Sequence, residues 1–302
     1  MDSIAAGTEK HATIEHRVRR IFWRLISIFP DKIYLTLKYF SIFGRFPNWK
    51  TPTRFSEYQQ IRKLQDQNPL YATVVDKAAA KDFIRERIGD DHLIPTYWVG
   101  TDLSEVDWQS IPLPAVVKPT HASGAGFFLW EKADIDDLMR QRPEAEWLAS
   151  DHSRVNREWA YSNVPPRIII EKLIGERDEV LSDYRFYSFN GNLVHIELRT
   201  PLEGVMHESV YSPDWKLLPI HMDYYPLLEK QLPRPDGYDR MLDIARALGP
   251  ELGFARIDLY NTSQGIFVGE ITLYPSGGFE TFVPDSYDFQ LAKYWKEFVV
   301  QQ

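Results

Sequence analysis

Arg256-Ile257-Asp258, then Glu270-Ile271-Thr272, then Tyr274-Pro275-Ser276-Gly277-Gly278 is the stretch on which the fold and the chemistry turn. The runs 254–260 and 266–273 read as two strands joined around 261–265, a hairpin. Side chains alternate faces along a strand, so Arg256 shares a face with Asp258, and Glu270 with Thr272. An odd-length loop puts both pairs on the same side. Two carboxylates on one buried face repel unless a cation joins them. Hard oxygen donors in a chain with 0 cysteines suit magnesium, which also keeps waters and phosphate oxygens. Two acids alone would read as a solvent-facing hairpin. The Arg-x-Asp and Glu-x-Thr pattern with its Pro-x-Gly-Gly loop favours a site.

Working outward, Val116-Val117-Lys118-Pro119 reads as a strand, Thr120-His121-Ala122-Ser123-Gly124-Ala125-Gly126 as a small-residue loop, and Phe127 to Trp130 as a returning strand. Glycines let backbone amides approach phosphate oxygens, and the lysine adds a point charge. The spacing is not that of a P-loop, because the lysine precedes the glycines. Ile169-Ile170-Glu171-Lys172-Leu173 is an apolar strand ending in an acid, a pattern that suits an adenine pocket and equally suits a strand reaching the surface. Asp76-Lys77 opens a predicted helix whose apolar face is Ala80, Phe83, Ile84 and Ile88 and whose end is Gly89. A lysine there opposes the helix dipole, which fits either a phosphate-facing role or simple exposure.

Further helices are expected at 56–66 and 236–248. Asn190-Gly191 marks a second hairpin between 184–189 and 193–198. Helices mixed with antiparallel hairpins give an α+β class. Near the amino terminus Val18, Ile21, Phe22, Leu25, Ile28 and Phe29 share a helical face, with arginines on the other. Such a helix either packs on the rest of the protein or lies on an anionic membrane surface.

Net charge is -8, yet the first fifty residues carry nine Lys+Arg against four Asp+Glu. The remaining body is acidic, which argues against nucleic acid as a partner. The apolar run before Pro30 is interrupted by Arg19, Arg20 and Arg24 and is too short and too charged to span a bilayer. A cysteine-free chain has no disulfide, thiolate zinc site or cysteine nucleophile, which fits a cytoplasmic enzyme.

In this order and spacing the elements resemble the ATP-grasp superfamily. Finer features are similar to its TupA-like branch, tied to cell-surface polysaccharide synthesis: Pro52-Thr53-Arg54-Phe55-Ser56-Glu57, Asn68-Pro69-Leu70-Tyr71, Asp76-Lys77, Lys118 with His121 and Gly124, Arg167 to Lys172, Asp183-Tyr184-Arg185-Phe186, Arg256 to Tyr260 and Gly269 to Thr272. The resemblance implies an ATP-grasp fold of two α+β lobes with ATP between them. A basic helical segment, 1–50, would precede an ATP-grasp domain, 51–302, with lobes at about 76–170 and 171–295. It further implies that Lys77 and Lys118 hold phosphates, with His121, Ser123, Gly124 and Gly126 beside the nucleotide. Glu171 and Lys172 would contact adenine. Asp258 and Glu270 would bind magnesium, and Arg256 would steady the moving phosphoryl group. Many superfamily members carry Asn where this chain has Thr272, whose hydroxyl is a weaker ligand. The segment after Phe55 also lacks a lysine that the family often shows.

The implied chemistry is ATP-dependent ligation of a carboxylate to an amine through an acyl phosphate. Arg185 is a candidate catalytic residue, and Arg185 and Arg199 are candidates for gripping an anionic acceptor. The expected partners are a small-molecule or saccharide carboxylate and an amine, with membrane or polysaccharide-assembly contact through 17–48. A kinase of the same fold and a non-catalytic nucleotide-binding partner remain as alternatives. A glycosyltransferase is disfavoured by the lack of an isolated Asp-x-Asp after a strand.

Overall fold

Both predicted hairpins lie side by side in one antiparallel sheet of the computed structural model, which describes residues 26–177, 179–222 and 225–300. The chain divides into two units, Met1–Pro47 and Asn48–Gln302. In the first, helix α1 (Asp31–Phe43) ends at Gly44, whose φ of 66° is the left-handed conformation that a helix stop favours. Most of the amphipathic helix expected from Val18 lies outside the described residues.

The second unit opens with α2 (Phe55–Gln65), α3 (Leu70–Val75) and α4 (Ala80–Ile88). The helix expected from Asp76 starts only at Ala80. The Asp76 carboxylate instead accepts from the Ala78 amide at 3.0 Å and from Arg167 Nη2 at 2.6 Å, so Lys77 sits in a turn and opposes no helix dipole. A four-stranded antiparallel sheet follows, in the order β1-β4-β2-β3: β1 (Thr96–Gly100), β2 (Ala115–Pro119), β3 (Phe127–Leu129) and β4 (Ile168–Lys172). Strand alternation buries Ala115, Val117, Ile168 and Ile170 in one core. Val116, Lys118 and Glu171 therefore belong to the opposite face. Between β3 and β4 run α5 (Lys132–Gln141), α6 (Glu144–Ala149) and α7 (His152–Asn156).

The five-stranded sheet has the order β7-β6-β5-β8-β9: β5 (Asp183–Phe189), β6 (Asn192–Leu202), β7 (Val205–Tyr211), β8 (Phe254–Thr262) and β9 (Gly265–Thr272). Asn190 and Gly191 have φ of 52° and 90°, the double positive that a two-residue hairpin turn needs. Helix α8 (Tyr238–Leu248) lays Met241, Leu242, Ala245 and Leu248 against Phe186, Ile196, Leu198 and Ile257 on one face. On the other face, Phe55 of α2 and Leu291 and Trp295 of α9 (Ser286–Trp295) pack over Tyr187, Phe189 and Phe254, with the Phe55 and Phe254 rings 4.8 Å apart. The rest of that face is charged.

The expected odd-length loop between β8 and β9 is not what sets their register. The turn has two residues, between Thr262 and Gly265, and an extra residue, Gly269, is inserted opposite the Asp258–Leu259 step. This bulge supplies the odd count, so Asp258 pairs directly with Glu270, and Arg256 with Thr272. A Cβ on Gly269 would come 2.9 Å from the Tyr260 ring, which is why glycine sits at the bulge.

Candidate active site

Cross-strand register organises the charged face into rows. Glu197, Arg185, Asp258 and Glu270 stand opposite one another on β6, β5, β8 and β9. The next row holds Glu208, Arg199, Asp183 and Tyr260, and the row on the other side His195, Tyr187, Arg256 and Thr272. A bulge in β6 after Leu193 puts Glu197, rather than its neighbour, opposite Arg185.

Arg256 reaches along β8 and grips Asp258 with two parallel bonds, Nε to Oδ1 at 2.8 Å and Nη2 to Oδ2 at 2.6 Å. The same Nη2 lies 3.5 Å from Glu270 Oε1 and 3.4 Å from Thr272 Oγ1. Thr272 donates to Glu270 at 2.9 Å. The guanidinium therefore already serves as the shared cation that two facing carboxylates require. Burial opposes charge on Glu270, but Lys77 and Arg256 outweigh it and hold the carboxyl down at about 2. Burial pushes Asp258 up against the pull of Arg256.

Arg185 donates to Asp183 at 2.6 Å and to Glu197 at 2.7 Å, and its Nε lies 4.0 Å from Asp258. Arg199 Nη2 lies 3.1 Å from both Glu197 and Glu208. Both arginines thus have carboxylate partners, so their charge toward an anionic acceptor is largely compensated. Against the cost of burial, a Glu208 hydrogen bond and Arg185 hold Glu197 down at about 2, while burial and Glu197 push Glu208 up to about 8. Tyr187 donates to Glu197 at 3.2 Å and to Glu280, whose carboxyl burial raises to about 7.

Facing this sheet are the lysines. Lys77, Lys118, Glu171 and Glu270 line one narrow gap of about 30 Å³. Lys77 is fixed at both ends: its amide donates to Thr120 O at 3.1 Å, and its Nζ donates to Ala122 O at 2.6 Å. It thereby ties the glycine loop down beside Glu270, and burial pulls its ammonium below the usual lysine range. Glu171 is gripped by Lys118 at 2.6 Å and by Lys81 at 2.5 Å. Its carboxylate spaces two lysines instead of standing open. Burial raises the acid, but the two cations together bring it below the usual range.

A larger cleft of about 780 Å³ joins the two sheets, within the range of small-molecule sites. Its lining includes Lys118, Gly124, Gly126, Glu171, Lys172, Asp183, Arg185, Arg199 and Tyr260. Lys172 Nζ reaches across to Gln264 Oε1 at 2.5 Å, joining β4 to the tip of the β8–β9 hairpin. His121 and Ser123 are not brought to that lining. His121 turns its Nε2 to Trp147 O at 3.1 Å, and Ser123 is exposed on the loop. Among the described residues, Asp183 Oδ1, Arg199 Nε and Glu208 Oε2 are buried without a hydrogen-bond partner. Other unmade bonds are scattered, at Gln59, Arg62 and His195 among others, but these three share one cross-strand row, a place for solvent or ligand.

Sequence reasoning missed Lys81, Glu197, Glu208 and Glu280, and gave Asp183 no role of its own. It also missed Gln60 and Lys63 of α2, which hold the carbonyls of Gly278 and Gly277 and so fix the Pro-Ser-Gly-Gly loop. Lys81 lies four residues after Lys77, a spacing that could have flagged it. The acids of β6 and β7 gave no signal, because only the sheet register brings them together.

The TupA-like ATPgrasp family profile matches residues 57–296, most of the chain. The protein belongs to the TupA-like ATP-grasp family. Its α+β, two-sheet architecture is the ATP-grasp fold. Similar solved structures include D-alanine–D-alanine ligase from Bacillus anthracis complexed with ATP, at 15% identity over 76% of this chain and 67% of that one, with a TM-score of 0.45. D-Alanine–D-alanine ligase from Helicobacter pylori is 11% identical over 80% and 68%, with a TM-score of 0.42. Phosphoribosylglycinamide synthetase from Anaerococcus prevotii is 14% identical over 72% and 48%, with a TM-score of 0.37. No curated protein matches this TupA-like chain. None of its described helices is long and apolar enough to cross a membrane.

Proposed function

We propose that the protein is an ATP-dependent carboxylate–amine ligase acting through an acyl phosphate, in the synthesis or modification of a cell-surface polysaccharide. The observation that carries this reading is the direct pairing of Asp258 with Glu270, with Arg256 between them and Lys77 and Lys118 facing them. A carboxylate attacking the terminal phosphate of ATP brings two anions together. The barrier falls only where fixed cations wait for the charge that develops. In this reading Lys77 and Lys118 would meet phosphate oxygens and Arg256 the transferring group, with Arg185 beside it.

The donor set fits magnesium: two hard carboxylates and a hydroxyl already share one positive charge. Asp258, Glu270 and Thr272 would hold the ion, which would supply further neutralisation of phosphate oxygens. Magnesium commonly takes only one or two carboxylates from the protein and the remainder from phosphate and water. Gly124 and Gly126 would cover the phosphates. The apolar wall of Ile94, Leu173 and Ile174 beside Lys172 would take the adenine ring.

The test is product analysis. The protein is incubated with ATP, magnesium, candidate uronic acids and amino acids, and watched for ADP and a new amide by mass spectrometry. ADP with an amide supports ligation. ADP with a stable phosphorylated product points to a kinase, and no ATP consumption across the panel contradicts an enzymatic role.

A further inference from the structure

Outside the cleft, the largest concentration of exposed apolar surface lies in the first unit. Of the large hydrophobic residues exposed among those described, Ile28, Phe29, Ile33, Leu37, Phe40, Ile42 and Phe46 all fall within one short stretch, whereas the others are scattered over the rest of the chain. Isolated exposed apolar residues need no explanation, but a contiguous set does. Ile33, Leu37 and Phe40 are spaced to form one stripe along α1, while Tyr34, Leu35 and Tyr39 of the same helix are buried. Phe46 extends the stripe past the helix stop, its ring stacked on Phe40 at 4.7 Å and 21°. The helix is therefore apolar on two sides, and only one is covered.

The charge around the stripe indicates what covers the other. Residues 17–48 carry seven Lys+Arg and one Asp+Glu, in a protein whose net charge is -8. Lys32 and Lys38 lie on α1, and Arg45 follows it directly. A second copy of the same stripe would set cations against cations. An anionic bilayer offers both an apolar interior for the stripe and a counter-charge for the lysines and arginines. At 13 residues, α1 spans roughly 20 Å, short of the hydrocarbon core, so the fitting geometry is lying in the interface rather than crossing it.

We infer that residues 28–46 form an interfacial docking surface for anionic lipid, with Ile33, Leu37, Phe40 and Phe46 entering the acyl boundary and the basic excess of the stretch supplying the counter-charge to the headgroups. This goes beyond the proposed ligase activity and does not depend on it.

The absence of cysteine makes the test clean. Full-length Leu37→Cys carries an environment-sensitive dye, and Glu146→Cys, exposed on α6, carries the same dye as a control. Each is mixed with vesicles of phosphatidylcholine alone or of phosphatidylcholine with phosphatidylglycerol, and flotation is followed in parallel. The expected result is flotation and a blue shift at position 37 only, with the anionic vesicles only, lost at high salt. Lys32→Glu with Arg45→Glu should weaken partitioning by at least about tenfold. Ile33→Glu with Phe40→Glu should do the same through the apolar term. No blue shift at position 37 with either vesicle overturns the inference, and because this uses the native surround it holds even if the charge variants misfold. Equal binding to both vesicles overturns the electrostatic part. A dimer by light scattering that protects position 37 without lipid assigns the stripe to a second copy and overturns it as well.

Discussion

The two sheets of the second unit hold their charged side chains in different ways. In the five-stranded sheet the charges are set by register. Asp258 faces Glu270 and Arg185 faces Asp258 because the strands pair that way, and Arg256 locks the row with a two-bond grip. In the four-stranded sheet Lys118 has a strand position, but Lys77 and Lys81 come from a turn and a helix and are fixed by single bonds to Ala122 O, Ile94 O and Glu171. One side is a rigid lattice of opposite charges; on the other, Lys118 and Lys81 gather on Glu171 while Lys77 is held by the glycine loop. Charges aimed at the group that moves act on the transition state, whereas lysines on phosphate oxygens serve binding of a polyanion equally well before and during reaction. The lattice should therefore govern turnover, and the lysines ATP affinity.

Removing charge from the lattice should have the largest effect. Asp258→Asn and Glu270→Gln keep shape, and each should lower ADP release by about a thousandfold with the fold intact by circular dichroism. If Lys118→Ala instead cost more turnover than either, the proposed division between the sheets would be reversed. Next, Gly269→Ala places a Cβ 2.9 Å from the Tyr260 ring and tests the bulge itself. A displaced row should cost about a hundredfold in turnover while ATP affinity changes little, measured by steady-state kinetics. Retained activity would mean that the register tolerates a side chain there.

Arg256→Met removes the partner of a buried carboxylate, and Asp258 keeps only 7% side-chain exposure. Unfolding in urea should show a loss of about 3 kcal/mol. Arg256→Lys should recover charge but not the two-bond grip, and so restore stability only in part.

His195 gives the smallest effect near neutrality. Fully buried beside Tyr287 at 2.8 Å, it is pulled by burial from its ordinary value of 6.5 down to about 3. Between those values the unfolded chain binds the proton and the folded chain does not, so His195 contributes stability above 6.5 that is lost as pH falls through that window toward 3. His195→Gln should flatten that part of the stability–pH curve and leave stability at pH 8 nearly level with its slope unchanged.

The contrast also explains what the sequence could reveal. The 256–272 hairpin, the Asn190-Gly191 turn and the β2–loop–β3 unit were legible because strand alternation and turn chemistry act between near neighbours. Gly269 was not legible as the source of register, since a bulge is a tertiary choice made against Tyr260 across the hairpin. Asp76 looked like a helix opener, but its side chain is drawn off by Arg167, 91 positions away. Glu197, Glu208 and Glu280 read as ordinary strand or loop acids until the sheet set them around Tyr187 and the arginines. Lys118 and Glu171 were both singled out, but their direct pairing was hidden because it depends on which strands adjoin.

The central claim is that Asp258 and Glu270 would hold magnesium opposite Lys77 and Lys118, where it would neutralise ATP phosphate oxygens. Calorimetric titration of ATP into the wild-type protein, with and without magnesium, and into the Asp258→Asn/Glu270→Gln double variant, tests it most directly. The account predicts micromolar to millimolar binding that magnesium strengthens in the wild type, with residual, magnesium-independent binding in the double variant. Absence of ATP binding by the wild type with magnesium present, or an equal magnesium effect in the double variant, would contradict it.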